Sequence, residues 1–142
     1  MKFVYPASFS QMGPEEIVVS FRDFPECLTS GTNQREAISA AIDALEEAVA
    51  GRIDDGEEIP APSRLAAKEK AIPVPPRMAA KAALAIALRD SGLSQVAFAE
   101  VLGIDEKVVR RMLDPRHGTA PDRIDKALQV LGQRIAVQVQ AA

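Results

Sequence analysis

The sequence predicts an α+β protein, in which a small antiparallel sheet carrying one packed helix precedes an all-α domain. Apolar and polar residues alternate near the N-terminus, as they do in half-buried strands. Apolar residues then recur at helical spacing over positions 37–49, and further helical segments follow a proline-rich stretch. One helix lying on one face of a small sheet buries both apolar surfaces in few residues.

The first two strands are predicted to form an antiparallel hairpin. Alternation over residues 3–9 indicates the opening strand, and residues 11–14 read as a turn because they end in Gly-Pro. Residues 17–21 are rich in β-branched side chains and supply the second strand. Residues 24–29 are expected to add a short third strand after a bend at Pro25.

The helix that follows has recognisable ends. Asn33 is a suitable N-cap, and Glu36 lies three residues further on, where its carboxylate reaches back in a capping box. We expect the helix to stop at or near Gly51 and residues 54–58 to form an acidic turn. These elements define a first domain over residues 1–58.

Residues 59–77 contain five prolines and are predicted to be an extended linker. Residues 71–75 within it suit an edge strand, where proline is tolerated. The second domain is then expected over residues 78–142. Its helices are predicted at residues 78–89, 95–102, 105–113 and 121–131.

The chain closes with an alternating segment, residues 134–140, that predicts a short C-terminal strand. A lone strand exposes a row of unpaired backbone groups, so we expect a second copy of the chain to cover it. The assembly is then a homodimer or a higher oligomer. The predicted dimerisation residues are Ile135, Val137 and Val139.

Composition and charge indicate the compartment and the partners. The 142 residues contain no apolar run long enough to span a membrane, no signal peptide and only Cys27 as a thiol, so we expect a cytoplasmic protein without disulfides. Residues 1–75 carry −6 and residues 76–142 carry +3. This asymmetry favours two partners of opposite charge. The basic half, residues 76–142, is the candidate for contact with phosphate groups. An uneven but merely solvated surface is the alternative.

Residues 95–112 fit a helix-turn-helix of the phage-repressor type. Two helices that cross closely need a small residue at their contact and a residue tolerating positive φ in the turn, and Ala99 and Gly103 supply these. Asp105 is placed to cap the second helix. The inner face is predicted to hold Phe98, Leu102, Ile104, Val109 and Met112.

The outward positions of this motif predict contacts with double-stranded operator DNA. The first turns of the second helix enter the major groove in such motifs. Gln95 opens the first helix and is expected to lie beside a phosphate. The predicted contacts on the second helix are Glu106, Lys107, Arg110 and Arg111. A helical bundle that binds no DNA is the alternative.

Several short motifs follow one another along the chain: Tyr5-Pro6-Ala7, VSFRDFPECLTSG at 19–31, Glu36-Ala37 and Ala41, IPAPS at 59–63, IPVP at 72–75 and the closing segment. Together they resemble the HicB antitoxins, in the longer form whose N-terminal domain precedes a helix-turn-helix domain. This sequence differs from the family at Glu26, where many members have glycine, and at the first turn, which is not Asp-Gly.

The resemblance implies an antitoxin whose N-terminal domain, similar to a truncated ribonuclease H, binds a HicA-type mRNA-cleaving toxin and masks its active surface. The C-terminal domain would repress the protein's own operon. No catalytic residue, metal or cofactor is expected. Toxin contacts are expected at Arg22, Asp23, Phe24, Pro25 and Glu26.

Two other functions remain open from the residues. One is a stand-alone repressor whose N-terminal domain senses a small molecule. The other is a metal-dependent nuclease, which requires carboxylates that converge on paired ions. The carboxylates for such a site are Asp23, Glu26, Asp54 and Asp55, in a bend and a turn.

Overall fold

The computed structural model describes all 142 residues and divides them into two compact units, Met1–Ala79 and Ala80–Ala142. The α+β class is confirmed, since one four-stranded sheet and five helices are formed. None of the helices combines the length and the apolar character needed to cross a membrane.

The first unit contains one antiparallel sheet in the order β3-β2-β1-β4. The predicted hairpin is confirmed, but its first strand continues to Gly13, so that the turn consists of Pro14 and Glu15. A register shift between Gln11 and Gly13 accommodates the longer strand. The strands are β1 (Val4–Gly13), β2 (Glu16–Phe21), β3 (Leu28–Gly31) and β4 (Glu69–Pro73).

The third strand begins later than predicted, at Leu28, because the residues before it form a turn. The Cys27 N–H donates to the Phe24 carbonyl at 2.9 Å, and the Phe24 N–H donates to that of Phe21. Both Phe24 and Cys27 are buried by this turn. The bend that Pro25 predicted therefore replaces the first half of the predicted strand.

The predicted edge strand is present as β4, which pairs with β1 so that Ile72 lies opposite Tyr5. Pro73 is the last residue of β4, which is an edge strand. Because proline has no N–H, it is tolerated at an edge, where the interior strands of the sheet lose no hydrogen bond. Ile59 and Val74, like Ile72, are buried. The proline-rich segment therefore belongs to the first unit instead of forming a free linker.

Helix α1 (Gln34–Asp55) packs on one face of this sheet. Asn33 is its N-cap, since the Asn33 Oδ1 accepts from the Glu36 N–H at 2.9 Å. The Glu36 carboxylate reaches one residue further back than predicted, to the N–H and hydroxyl of Thr32. The helix passes through Gly51 and ends at Gly56, whose φ of +65° suits a residue without a side chain.

Helix α1 and the sheet approach each other closely at Gly31, the last residue of β3. A Cβ built at Gly31 would lie 2.4 Å from the Ala37 backbone nitrogen, which no side chain tolerates. The close approach places the inner stripe of α1 over the sheet. The buried residues of that stripe are Ala37, Ala41, Leu45 and Val49.

The second unit is helical, and all four predicted helices are confirmed to within about two residues. The boundary between the units falls within the first of these helices. The helices are α2 (Pro76–Ser91), α3 (Gln95–Leu102), α4 (Glu106–Leu113) and α5 (Pro121–Val130). One apolar cluster joins them, made by Leu84, Leu88, Phe98, Ala99, Val109, Met112, Ile124, Ala127 and Leu128.

The predicted C-terminal strand is not formed, and residues 133–142 have no regular secondary structure. A strand needs a neighbour for its backbone groups, and a single chain offers none at this position. Ile135 alone is anchored, because its side chain packs against the apolar cluster and its N–H donates to the Asp125 carboxylate at 2.7 Å. Val137 and Val139 are 85% and 90% exposed.

Candidate partner-binding surfaces

Helices α3 and α4 are joined by a three-residue turn, residues 103–105, as the spacing predicts. Gly103 has a φ of +68° and ends α3, and the Ile104 N–H returns to the Ala99 carbonyl at 3.0 Å. Asp105 caps α4, because its carboxylate accepts from the Lys107 N–H at 2.8 Å. The turn therefore fixes the start of α4 relative to the end of α3.

The inner face of this helix pair contains the five apolar residues expected there. Phe98, Val109 and Met112 are buried, and Leu102 and Ile104 are half-buried against the same cluster. With this side of each helix in the core, the direction of the remaining side chains is determined.

The outer side of α4 is basic. At about 100° per residue, Lys107 lies opposite the buried Val109 and Met112, and Arg110 and Arg111 lie on either side of it. All three cations are exposed. Their only acidic neighbour on the helix is Glu106, whose carboxylate is 3.9 Å from the Arg110 guanidinium across one helical turn. An exposed pair at that distance contributes little, so the basic character of the face remains.

Gln95 is exposed at the start of α3, on the first turn of the helix. The N-cap is the preceding residue, Ser94, whose hydroxyl accepts from the Ala97 N–H at 3.0 Å. Ser94 escaped the sequence analysis, although a serine directly before an apolar helix is a common start signal.

The segment at residues 22–26 makes contacts within the first unit. The Arg22 guanidinium donates to the Arg64 carbonyl and, at 2.9 Å, to the Glu69 carboxylate. The Asp23 carboxylate accepts from the Ser63 N–H at 2.8 Å and from the Ser63 hydroxyl. These bonds hold the proline-rich segment against the strands.

Phe24 is completely buried, so its side chain is not exposed to a partner in this structure. Its ring packs edge-to-face on Tyr5 with centroids 4.9 Å apart, and the Arg52 guanidinium lies 4.6 Å above it. Arg52 also donates twice to the Glu26 carboxylate, at 2.7 and 2.8 Å. These hydrogen bonds hold the pKa of Glu26 below its usual value. Pro25 and Glu26 remain exposed.

Comparison with known proteins identifies the family. A family model described as "HicB_like antitoxin of bacterial toxin-antitoxin system" matches residues 4–83. The chain is 32% identical over 136 residues to Antitoxin HicB 1 of Photorhabdus laumondii, covering 96% of this chain and 86% of that protein. It is 33% identical over 133 residues to Antitoxin HicB of Escherichia coli K12, covering 94% and 96%. This chain belongs to the HicB-like antitoxin family.

A third relative, Antitoxin HicB of Pseudomonas fluorescens, is 34% identical over 130 residues, which cover 91% of this chain and 89% of that protein. Each alignment is longer than either unit, so each extends into both. The resemblance inferred from the sequence is confirmed. Membership gives the protein the role of an antitoxin in a bacterial toxin–antitoxin system, a regulatory role.

The four carboxylates considered for a nuclease do not converge in this HicB-like chain. Asp23 is bonded to Ser63, Glu26 is paired with Arg52, and the other two lie at the end of α1. No group of three or more His, Cys, Asp or Glu residues is arranged to hold a metal ion.

Cys27 has the properties of a structural thiol. Burial, with a smaller effect of the neighbouring Glu26 carboxylate, raises the pKa of Cys27 to about 11. The thiol is therefore protonated at neutral pH, and a protonated thiol is a poor nucleophile.

The outer surface of α1 in this HicB-like unit is acidic. Four of the six carboxylates of α1 follow one another at intervals of seven, four and seven residues, which keeps these four within about 20° of one line along the helix, opposite the buried stripe. The sequence analysis recorded the net charge of this half but missed its arrangement, which helical spacing alone would have revealed. We call this line the acidic stripe, and its residues are Glu36, Asp43, Glu47 and Asp54.

Proposed function

We propose that this HicB-family antitoxin neutralises a HicA-type mRNA-cleaving toxin through its first unit and represses its own operon through its second. The observation that carries the DNA-binding part is the basic outer face of α4, formed by Lys107, Arg110 and Arg111 on a helix whose other side lies in the core. Cations fixed on the outer face of a short helix suit insertion into a major groove.

In this proposal α3 and α4 are the two helices of a helix-turn-helix. Lys107, at the centre of the face, would contact base edges, with Arg110 at its side. Glu106 would accept from a cytosine amine, since a carboxylate next to a phosphate would be repelled. Gln95 lies at the start of α3. There its side-chain amide and the free backbone N–H groups of the helix would donate hydrogen bonds to a phosphate.

The toxin-binding part is supported by the charge of the first unit. A toxin that cleaves mRNA presents a basic surface to its substrate, and an acidic partner competes for that surface. The acidic stripe supplies such a partner on the exposed side of α1. Of the residues first expected to touch the toxin, Arg22, Pro25 and Glu26 are exposed. Arg22, Asp23 and Glu26 are also bonded within the unit, so a toxin would have to bind them beside those bonds or in exchange for them. Toxin affinity should therefore fall as salt concentration rises.

We further propose that the protein acts as a homodimer or a higher oligomer through its C-terminal segment. Ile135 anchors the segment to the second unit, which leaves Val137 and Val139 exposed beyond it. Pairing with the same segment of a second copy would bury both valines and provide the backbone hydrogen bonds that a strand needs. Two α4 helices would then read half-sites about 34 Å apart on a palindrome.

A stand-alone repressor that senses a small molecule is less well supported, because the relatives that match along most of the chain are antitoxins. The two functions differ in one simple respect. An antitoxin requires a toxin, which we expect to be a small basic protein encoded by the adjacent gene. A small-molecule sensor requires no such protein.

The decisive experiment has two arms. In the first, the adjacent small gene is expressed alone or together with the antitoxin, and growth is scored. We expect growth arrest to be relieved and the two proteins to co-purify. In the second, purified antitoxin is titrated into DNA from upstream of the operon in a gel-shift assay, with unrelated duplex as the control. Absence of rescue would exclude toxin neutralisation, and equal affinity for both duplexes would exclude operator recognition.

A further inference from the structure

The second unit contains a cavity of about 240 Å³ where α4 ends and α5 begins. Its lining includes Val108 and Met112 of α4 and the residues Gly118, Thr119 and Ala120 between α4 and α5. A water molecule takes up about 30 Å³ in the liquid, so the space admits a group of several heavy atoms. The cavity lies beside the basic face of α4 and shares one residue with it, Arg111.

The ionisable side chains that line this cavity all belong to the basic residue types. Arg111 comes from α4, His117 from the loop after it, and Arg123 from the first turns of α5. No carboxylate is among the lining residues. Guanidinium groups that face one space from different elements repel each other, and an anion between them removes that repulsion. Guanidinium also bonds phosphate in a bidentate manner.

A buried lysine behind the wall supports the same assignment. Lys81, on α2, is completely buried. Its ammonium donates to the carbonyls of Arg111 and Met112 at 3.1 and 2.8 Å and to the Thr119 hydroxyl at 3.1 Å. All three acceptors belong to residues that line the cavity. Lys81 therefore fixes the end of α4 to the loop that forms part of the cavity wall.

We propose that this cavity binds a phosphate group, which in the DNA complex is a backbone phosphate beside the groove that α4 enters. The inference rests on the proposed operator binding for the source of the phosphate, but not for the site itself. It gives Arg111 a different task from Lys107, since a phosphate contact positions the protein and carries no sequence information. It also adds His117 and Arg123, to which no function was assigned.

The test compares two cations of α5. Arg123 lines the cavity, whereas Lys126, one turn further on, is also exposed but does not line it. Each is changed to Ala, and the affinity for operator and for unrelated duplex is measured by fluorescence anisotropy over a range of NaCl concentrations. Both variants remove one exposed charge, and circular dichroism checks that both are folded.

We expect Arg123→Ala to weaken binding to both duplexes about 10-fold and to lower the slope of log affinity against log salt by about 1, as loss of one phosphate contact does. Lys126→Ala should stay within about twofold of the unchanged protein. Equal effects of the two variants would overturn the proposal.

Inorganic phosphate separates this inference from the proposed function. The full chain is titrated with sodium phosphate against sodium chloride of equal ionic strength, and the amide signals of Gly118 and Thr119 are followed by NMR. Saturable shifts that disappear in Arg123→Ala support the site even if no DNA is bound, and the source would then be a free phosphate. If neither phosphate nor DNA gives an effect that depends on Arg123, the site does not exist.

Discussion

Two charged motifs of this antitoxin, residues 22–26 in the first unit and helix α4 in the second, use their side chains in opposite ways. In the first, Arg22, Asp23 and Glu26 are bonded to residues at least 26 positions away in sequence, and they fix the proline-rich segment and α1. In the second, Lys107 and Arg111 are on the outside of α4. A charged residue in a motif is available to a partner only if the fold does not already use it.

One charged residue of the second unit, Lys81, is used within the fold instead of being exposed. Lys81 is the one buried charged residue of the chain, and its ammonium bonds to the last turn of α4. The carbonyls at the end of a helix have no partner within it and carry partial negative charge, so a cation is favoured there. Lys81 of α2 therefore holds the end of α4 in position, whereas the cations of α4 itself are exposed to solvent.

The largest effect is expected from removing the outward cations of α4. Arg110→Ala combined with Arg111→Ala should weaken operator binding at least 100-fold, because each lost contact costs about 1 to 3 kcal/mol. Toxin neutralisation should be unchanged, since the first unit is not altered. Gel shift and growth rescue measure the two activities.

A matched control is Lys2→Ala combined with Arg35→Ala, which removes two exposed cations from the first unit. It should leave the operator shift within about twofold. If both double variants reduce the shift equally, net charge and not the α4 face governs DNA binding, and the contrast between the units fails.

The next effect is expected at Lys81. Lys81→Met keeps most of the volume but leaves the Thr119 hydroxyl and the α4 carbonyls without their donor, so the second unit should lose about 2 kcal/mol of unfolding free energy. Calorimetry with amide exchange in the second unit measures the loss. Lys126→Met, an exposed change of the same kind, should cost less than about 0.5 kcal/mol. A melting curve for Lys81→Met that matches the control would show that the buried bonds contribute nothing.

The sequence predicted best what depends on neighbouring residues. The bounds of α3 and α4, the positive φ of Gly103 and the Asn33 cap follow from spacing and from the conformational preferences of single residues. Each involves residues within one or two helical turns. The basic face of α4 was predictable for the same reason, since burial of Val109 and Met112 fixes the opposite side.

What the sequence missed depends on residues far apart in the chain. Nothing near Phe24 indicates that Arg52 and Tyr5 enclose it, and nothing near Lys81 indicates that α4 ends beside it. Helix α1 continues through Gly51, although glycine costs about 1 kcal/mol in a helix, because Val49 before it is buried and Arg52 after it packs over the Phe24 ring. The C-terminal strand was predicted from alternation, which cannot supply a pairing partner.

A smaller effect is expected at Asp23 and decides between a structural and a toxin-binding role. Asp23→Ala removes both bonds to Ser63. The free energy needed to open the proline-rich segment should therefore fall by about 1 kcal/mol, which raises the open population roughly fivefold. Trypsin, which cleaves after Arg64 and Lys68, should then cut there about five times faster. Glu15→Ala, in the β1–β2 turn, is the control and should not change the rate. Loss of toxin affinity without faster cleavage would restore Asp23 as a direct contact.

The smallest effect is expected at the Glu26–Arg52 pair and is recognised by its dependence on pH. The pKa of Glu26 is lowered in the folded protein, so its stabilisation is fully present above the usual pKa of 4.5 and is lost as the pH falls through the folded value. Glu26→Gln should therefore lower the melting temperature by about 2 to 4 °C at pH 7, since a partly exposed pair contributes at most about 1 kcal/mol.

The difference between Glu26→Gln and the unchanged protein should disappear well below pH 4.5 and shrink in 1 M salt, because protonation and screening both remove the attraction. Arg52 keeps its position over the Phe24 ring in this variant, so the comparison isolates the carboxylate charge. Glu47→Gln removes an exposed carboxylate of the acidic stripe and is the control for the loss of one negative charge at pH 7. A deficit for Glu26→Gln that persists unchanged at low pH would mean that packing, and not charge, makes this part of the first unit stable.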